Sequence, residues 1–308
     1  HLLSGIIGSP NNLAVRDTLN EECIPQLGNL TGLPAWGDDV EDYPWTTGGL
    51  VPYDVETRVY MESLQSQGVT KVALIYVNTE FGKSYADTAK AEAAEFGLEI
   101  VADETIDPTD PNPPAGQVTT IAAAAPEAII AVPLGAGCIS FLNVLAEKKA
   151  QTPGWEPLTY VTNTCASSLI LGIAGANADG LYTSNALIDV TDPKNAEDPD
   201  VKAYVDYMNS IGKGDLVTTA SAGWTVAEVV VAIIKQAMES PEGLTRASII
   251  NAARNFEYES SLARPGVKSK TSGLDDAFPA ESLQVLQYDA DTKTFTEIGE
   301  LITKFESS

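Results

Sequence analysis

Between residues 70 and 165 the sequence repeats one pattern: a short apolar strand, a small polar loop, and a segment with helical periodicity. The predicted strands are Lys71–Val77, Glu99–Ala102, Ala128–Val132 and Leu158–Thr162. Strands that alternate with helices in this way form a parallel sheet, whose carboxyl ends gather the following loops on one side. Because ligands of open α/β sheets bind at those ends, we expect binding groups in loops 78–82, 134–138 and 163–167.

Composition argues against several classes of function. The single histidine is residue 1, which is poorly placed to serve a Ser-His-Asp triad, a Cys-His pair or a histidine zinc site. The chain has 18 lysines and arginines against 43 aspartates and glutamates, and its net charge of −25 opposes contact with nucleic acid or anionic membranes. These acids are spread as on a solvated surface, and no EF-hand spacing supports the alternative of a calcium site. We expect no cofactor and no metal.

No stretch of 18 apolar residues without a charge occurs, so we expect no direct membrane insertion of this segment. The three cysteines are Cys23, Cys138 and Cys165. Cys138 and Cys165 both follow predicted strands, one βα unit apart, which allows a disulfide. Two buried free thiols are the main alternative, and a reactive cysteine is a weaker one because no histidine is available to activate it. The partner of Cys23 stays unassigned.

The two ends of the chain contain further α/β material. A buried strand over Leu2–Ile7, a helix over Leu13–Cys23 and a short strand over Pro25–Leu30 are predicted near the start. A lobe that begins there is short of strands unless later segments complete it. Helices are predicted near 200–211, 221–238 and 245–256, and the chain then forms a hairpin from Leu283–Tyr288 and Phe295–Gly299.

The chain resembles the type I periplasmic solute-binding proteins of ABC transporters, specifically the branched-chain amino acid (Leu/Ile/Val) receptors. The residues that carry this resemblance are Val72–Tyr76 with Glu80–Gly82, Asp179–Thr183, and Ser221–Ala227 at the start of a long apolar helix. None of them is a catalytic signature, so the match depends on the order and spacing of elements from about residue 5 to residue 300. The family's usual N-terminal portion has no counterpart here, and we expect that the chain lacks it.

This resemblance implies an α/β fold of two doubly wound, Rossmann-like lobes with three crossovers, and a ligand in the cleft between them. The first lobe would hold residues 1–50 and 189–275, and the second residues 51–188 and 280–308. The crossovers would fall near 46–52, 184–189 and 273–279. The family also implies an extracytoplasmic protein without enzymatic activity, which delivers a small molecule to an ABC transporter permease.

The family's ligand contacts can be placed on residues of both predicted lobes. In the first lobe they match Ser9 and Asn11, at a helix start that favours an anion, and Thr31 and Gly32 in the next loop. In the second lobe they match Phe81, Leu134, Asn163 and Thr164. Each has a simpler alternative: Ser9 or Asn11 as a helix cap, Thr31 as a turn residue, and Phe81 as an apolar plug beneath its loop.

Two departures from the family bear on the ligand. Receptors for α-amino acids commonly place an acidic residue where this chain has Asn163–Ser167, and an aromatic residue where it has Leu134–Gly137. A buried ammonium without a carboxylate partner is costly, although Glu80 is a candidate substitute. We therefore expect an amino acid, an amide or a small or aromatic carboxylate. The alternatives to a transport role are a ligand-sensing ectodomain of the same fold and a hydrolase that works through carboxylates.

Overall fold

The computed structural model describes residues 1–306, which fold into two compact units. Unit 1 contains His1–Val55, Ala186–Leu283 and the segment from Ile302 to the end of the described chain, and unit 2 contains Glu56–Asn185 and Gln284–Leu301. Residues 307 and 308, which the sequence interpretation places in the second lobe, lie outside the described residues.

The helices and strands follow the alternating pattern of an α/β protein. The strands are β1 Leu3–Ser4, β2 Gln26–Asn29, β3 Thr46–Gly48, β4 Lys71–Val77, β5 Glu99–Ile106, β6 Ala128–Val132, β7 Leu158–Val161, β8 Tyr182–Asn185, β9 Glu257–Tyr258, β10 Ser269–Lys270, β11 Leu283–Asp289 and β12 Thr294–Ile302. The helices are α1 Ser9–Glu21, α2 Ala35–Asp38, α3 Tyr53–Ser66, α4 Glu80–Glu92, α5 Ala115–Ala124, α6 Ala136–Gln151, α7 Ser168–Ala174, α8 Pro199–Ser210, α9 Val217–Met238 and α10 Arg246–Ala253.

Unit 2 is built on a seven-stranded sheet in the order β12-β11-β8-β7-β6-β4-β5. Strands β4 to β8 pair in parallel, whereas β11 runs antiparallel to β8. The central strands β4 and β6 have the bounds that the sequence predicts, because continuous apolar side chains bury both of their faces. Their core includes Ile75, Ile129 and Phe141, all fully buried.

Unit 1 has a three-stranded parallel sheet in the order β1-β2-β3, and a short antiparallel pair of β9 with β10. Leu27 of β2 packs against Val226, Val230 and Ile233 of α9 and against residues of α10. The prediction of a buried strand over Leu2–Ile7 is wrong. Gly5 has a left-handed φ of 68°, which ends β1 after two residues, and Ile7 is 69% exposed because β1 is the edge of the sheet.

The chain passes between the two units at four points, after Val55, Asn185, Leu283 and Leu301. The resemblance implies three crossovers, and the additional one arises because the chain returns to unit 1 at Ile302. The returning segment is held there by the carboxylate of Glu306, which accepts hydrogen bonds from the backbone N–H of Glu281 and the hydroxyl of Ser282. Residues 280–283 also belong to unit 1, whereas the sequence interpretation begins the second lobe at 280.

Helix α9 and the residues before it, Gly214–Met238, are long and apolar enough to cross a membrane, and an 18-residue stretch within them has a mean hydropathy of 1.6. The sequence criterion of an uncharged run misses this segment because Glu228 interrupts it. The Glu228 carboxylate accepts hydrogen bonds from the backbone N–H and the hydroxyl of Ser261, at 3.0 and 2.7 Å. Val230 on the same helix packs in the core of unit 1. Only 17% of the apolar stretch is buried, and a single helix of this length and composition is weak evidence for a membrane span.

Candidate functional site

In unit 1 the ends of β1 and β2 bring two predicted ligand residues together. Helix α1 begins at Ser9, directly after Gly8, whose φ of 93° is one that glycine adopts without strain. The hydroxyl oxygens of Ser9 and Thr31 lie 2.6 Å apart, and the Tyr53 hydroxyl donates to the Thr31 oxygen at 3.3 Å. Ser9 and Thr31 are both buried. Two hydroxyl groups therefore converge beside the first turn of a helix, where the dipole favours an anion.

Asn11 and Asn12 have different parts in this turn. The side chain of Asn11 is exposed, and its amide donates to the carbonyl oxygen of Ile7 at 2.9 Å. Asn12 is fully buried and donates to the carbonyl oxygens of Ile6 and Gly8, each at 2.9 Å, while its own side-chain oxygen accepts from Gln26. Asn12, which is not among the predicted ligand residues, thus joins the loop before α1 to β2.

Gly32 lies where the chain leaves no room for a side chain. An added Cβ would come within 2.3 Å of the carbonyl oxygen of Val51 and 2.8 Å of the Tyr53 ring. The backbone N–H of Tyr53 also donates to the carbonyl oxygen of Gly32 at 2.7 Å. This close approach brings Tyr53 within reach of Thr31, so that Gly32 has a clear structural role beside the predicted contact.

Asn29, at the end of β2, is fully buried, and neither atom of its side-chain amide has a hydrogen-bond partner within the described residues. A buried polar group without a partner costs about 1–3 kcal/mol, so a polar molecule that reaches this amide would gain a favourable contact. Asn29 is two residues from Thr31, and its position in the sequence gives no sign of a binding role because asparagine at a strand end is usually a turn residue.

In unit 2 a buried carboxylate lies behind the turn that follows β7. Glu56 of α3 accepts hydrogen bonds from the Tyr60 hydroxyl at 2.5 Å, the Tyr85 hydroxyl at 2.6 Å, the Asn163 backbone N–H at 2.9 Å and the Ser184 hydroxyl at 3.2 Å. Burial raises the pKa of this carboxyl, while the four hydrogen bonds act in the opposite direction. The sequence gives little sign of this network, because a glutamate in a helix normally faces water.

Asn163 and Thr164 form the turn itself. Their side chains are partly exposed, and the Thr164 hydroxyl lies 2.7 Å from that of Thr162. Cys165, the next residue, forms a disulfide with Cys138 at the start of α6, with an S–S distance of 2.06 Å. The predicted disulfide is thus present, whereas Cys23 is free and exposed.

Phe81 and Leu134 differ in their surroundings. Phe81 is buried, and its ring makes an edge-to-face contact with Tyr85 at a centroid distance of 5.5 Å. This is the packing expected of an apolar plug, and the same Tyr85 donates to Glu56. Leu134 is 55% exposed at the end of β6. Unit 2 therefore presents amide, hydroxyl and apolar groups after β6 and β7, with no acidic residue in loop 163–167.

A cavity of about 30 Å³ lies elsewhere in unit 1, between β2, β3 and α9, with Gly28, Thr47, Thr225 and Val226 among its lining residues. The predicted ligand residues are not among those that line this cavity. Among residues 1–306 no group of three His, Cys, Asp or Glu side chains is arranged to hold a metal ion.

The family model described as "Periplasmic binding protein" matches residues 1–293. The chain belongs to the periplasmic binding protein family. Its expected α/β fold and solute-binding role are thereby confirmed. No curated protein matches the chain by sequence.

Solved structures of this family share the fold at low sequence identity. A branched-chain amino acid ABC transporter protein from Thermus thermophilus, with bound valine, is 16% identical with a TM-score of 0.81, covering 98% of this chain and 78% of that one. A fatty acid ABC transporter substrate-binding protein from Thermomonospora curvata is 19% identical with a TM-score of 0.78, covering 96% and 73%. A solute-binding protein from R. palustris, in complex with benzoate, is 16% identical with a TM-score of 0.76, covering 97% and 76%.

Proposed function

We propose that this protein is an extracytoplasmic solute-binding protein that captures a small organic carboxylate and delivers it to the permease of an ABC importer. The observation that carries the proposal is the family match over residues 1–293. Of the three structural relatives described above, one contains bound valine, one is in complex with benzoate, and one is named as a fatty acid transporter protein. These molecules differ in size and in the presence of an ammonium group, and the group that they share is a carboxylate.

The polar groups of unit 1 support a carboxylate ligand. Ser9 and Thr31 offer hydroxyl groups next to the start of α1, and helix N-termini favour anions. In the same unit the side-chain amide of Asn29, which has no hydrogen-bond partner in the described part of the chain, offers a further donor and acceptor. We propose that Ser9 and Thr31 bind the carboxylate, and that Asn29 binds a second polar atom of the solute.

The groups of unit 2 support a solute without a positive charge. Asn163 and Thr164 carry an amide and a hydroxyl, and Leu134 adds an exposed apolar side chain. An α-ammonium group would require an acidic partner to offset its desolvation. We therefore propose that aromatic or aliphatic acids bind more tightly than α-amino acids.

Two features support an extracytoplasmic protein without catalytic activity. The Cys138–Cys165 disulfide is typical of oxidising compartments, and the family is one of binding proteins. The only histidine is residue 1, and the predicted ligand residues of both units carry mainly amide and hydroxyl groups, which are suited to hydrogen bonding.

We propose that α9 belongs to the core of unit 1 and not to a membrane.

The experiment that tests the function is thermal unfolding in the presence of benzoate, octanoate and L-valine, with recovery of the bound compound afterwards. A ligand at 100 times its dissociation constant stabilises the native state by about 2.7 kcal/mol, which is a readable shift. We expect a shift with at least one acid, and chemically unchanged ligand on release. The absence of a shift with all three would contradict the proposed solute class, and conversion of the ligand would contradict a pure binding role.

A further inference from the structure

The hydrogen bonds around Glu56 admit two arrangements of protons. The Tyr60 hydroxyl has one proton and two acceptors within reach, the Glu56 carboxyl oxygen at 2.5 Å and the Val161 carbonyl oxygen at 2.9 Å. Ser184 likewise lies 3.2 Å from the Glu56 oxygen and 3.3 Å from the Tyr60 oxygen. When Glu56 is ionised, both hydroxyls can donate to it. When Glu56 is protonated, it can donate to Tyr60, whose own proton then turns to Val161.

Asn163 is the member of this network that lies in the turn after β7. Its backbone N–H donates to the Glu56 oxygen at 2.9 Å, and this bond is charge-assisted only when the carboxyl is ionised. Charge-assisted hydrogen bonds are roughly twice as strong as neutral ones. The ionised form of Glu56 therefore fixes the start of the turn after β7 more firmly than the neutral form does.

The other end of this turn is fixed covalently. Cys165 is bonded to Cys138 and is fully buried. The turn thus has one permanent attachment, at Cys165, and one that depends on a proton, at Asn163. Between them lies Thr164, whose side chain is partly exposed.

We propose that Glu56 is a positioning residue, and that its ionisation orders the turn at Asn163 and Thr164 and thereby strengthens solute binding. This inference deepens the proposed function and rests on it, since the turn is taken as a ligand contact. The groups that face Glu56 are Tyr60 from α3, Tyr85 from α4, Ser184 from β8 and the Asn163 backbone. None of them carries a positive charge. The pKa of the Glu56 carboxyl is therefore set by its burial, which raises it, and by the hydrogen bonds from these four donors, which lower it.

Stability and affinity should respond to pH in opposite directions. The pKa of Glu56 is raised above 4.5 by burial, so its contribution to stability is complete below pH 4.5 and is lost as pH rises through the folded-state value. Over the same interval ionisation strengthens the bond to Asn163. Affinity for the solute should therefore rise while the free energy of unfolding falls, and a residue with only a structural role would not produce opposed trends.

The test follows the Asn163 amide by ¹H–¹⁵N NMR from pH 4 to 8, together with the affinity for benzoate, octanoate or L-valine, whichever binds the wild type. We expect the Asn163 amide proton to move downfield as Glu56 ionises, and affinity to increase about fivefold across the transition. Glu56→Gln should remove both changes. Tyr85→Phe deletes one hydrogen-bond donor to the ionised carboxylate. The pH midpoints of the amide shift and of the change in affinity should therefore both move to higher pH.

The matched control is Glu127→Gln. Glu127 also accepts backbone N–H bonds within unit 2, from Thr70 and Lys71, but far in the chain from Asn163. This variant should leave the Asn163 titration unchanged. The inference would be overturned if the pH-dependent shift of the Asn163 amide proton persisted in Glu56→Gln, or kept its midpoint in Tyr85→Phe. It would also be overturned if neither substitution altered the pH dependence of affinity. Failure of all three acids to bind the wild type would instead contradict the proposed function, and the NMR titration would still decide whether Glu56 holds the turn.

Discussion

The hydroxyl oxygens of Ser9 and Thr31 lie 2.6 Å apart although 22 residues separate them in the sequence. The contact joins the start of α1 to the loop after β2, and the Tyr53 hydroxyl extends it to α3. Such a pair is buried and polar, and it lies at the carboxyl ends of parallel strands, where α/β proteins bind ligands. It is the strongest structural support for a carboxylate site in unit 1.

Ser9→Ala should weaken binding of a carboxylate by about fivefold to tenfold, because one hydrogen bond to the anion is lost. The Ser9 hydroxyl is one of the two that are proposed to bind the carboxylate, and it lies 2.6 Å from the Thr31 hydroxyl. The matched control is Ser66→Ala, whose hydroxyl donates to the carbonyl oxygen of Ser63 within α3. Calorimetric titration of both variants with benzoate, octanoate or L-valine provides the comparison. Equal losses in the two variants would remove Ser9 from the site.

Gly32→Ala should destabilise the protein by about 1–3 kcal/mol, because the added methyl group would overlap the Val51 carbonyl. The built Cβ lies 2.3 Å from that oxygen. Gly116→Ala is the control: it lies in α5 with open space around it, and should stabilise by about 0.5–1 kcal/mol. Urea denaturation measures both changes. A neutral effect of Gly32→Ala would show that the backbone at Val51 moves aside.

Reduction of the Cys138–Cys165 disulfide should destabilise unit 2 by about 3.5 kcal/mol, the loop-closure value for the 27-residue separation. Urea denaturation with and without a phosphine reductant measures this difference. Cys23→Ser, which removes the exposed free thiol, should behave as the wild type in both conditions. If reduction left the transition unchanged, the disulfide would contribute nothing to stability.

Glu127→Gln should reduce the loss of stability at acid pH. Hydrogen bonds from the Thr70 and Lys71 backbone and from the Thr70 hydroxyl lower the pKa of the Glu127 carboxyl below 4.5. A lowered folded-state pKa gives stability that is present above pH 4.5 and is lost as pH falls through the folded value. Urea denaturation between pH 3 and 7 measures the slope, with the exposed Glu147→Gln as control. Identical slopes in the wild type and Glu127→Gln would refute the linkage.

The sequence predicts the buried strands of unit 2 well, since their apolar character is continuous and their limits are marked by polar loops. Strand β4 is an example, with its predicted and observed bounds the same. Prediction is weaker where one residue changes the backbone. Pro10, in the first turn of α1, places the start of the helix at Ser9, four residues before the predicted Leu13. Gly5 ends β1 early through its left-handed φ.

The candidate site shows the same division. Ser9 and Thr31 can be proposed because the resemblance to the family places its first-lobe ligand contacts on these residues. Glu56 and Asn29 cannot be found in this way. A helical glutamate and a strand-end asparagine are ordinary at the surface. Only the tertiary contacts reveal Glu56 as a buried acceptor of four donors, and Asn29 as a buried amide that has no partner among residues 1–306.

The central claim is that the solute is held by its carboxylate through the hydroxyl pair of unit 1. Its most direct test is a double comparison of dissociation constants, acid against matched amide, on the wild type and on Thr31→Val. Benzoate with benzamide, and octanoate with octanamide, are suitable pairs. We predict that the wild type binds the acid at least tenfold more tightly than the amide, and that Thr31→Val removes most of this difference. Equal affinity for acid and amide in the wild type would contradict the account.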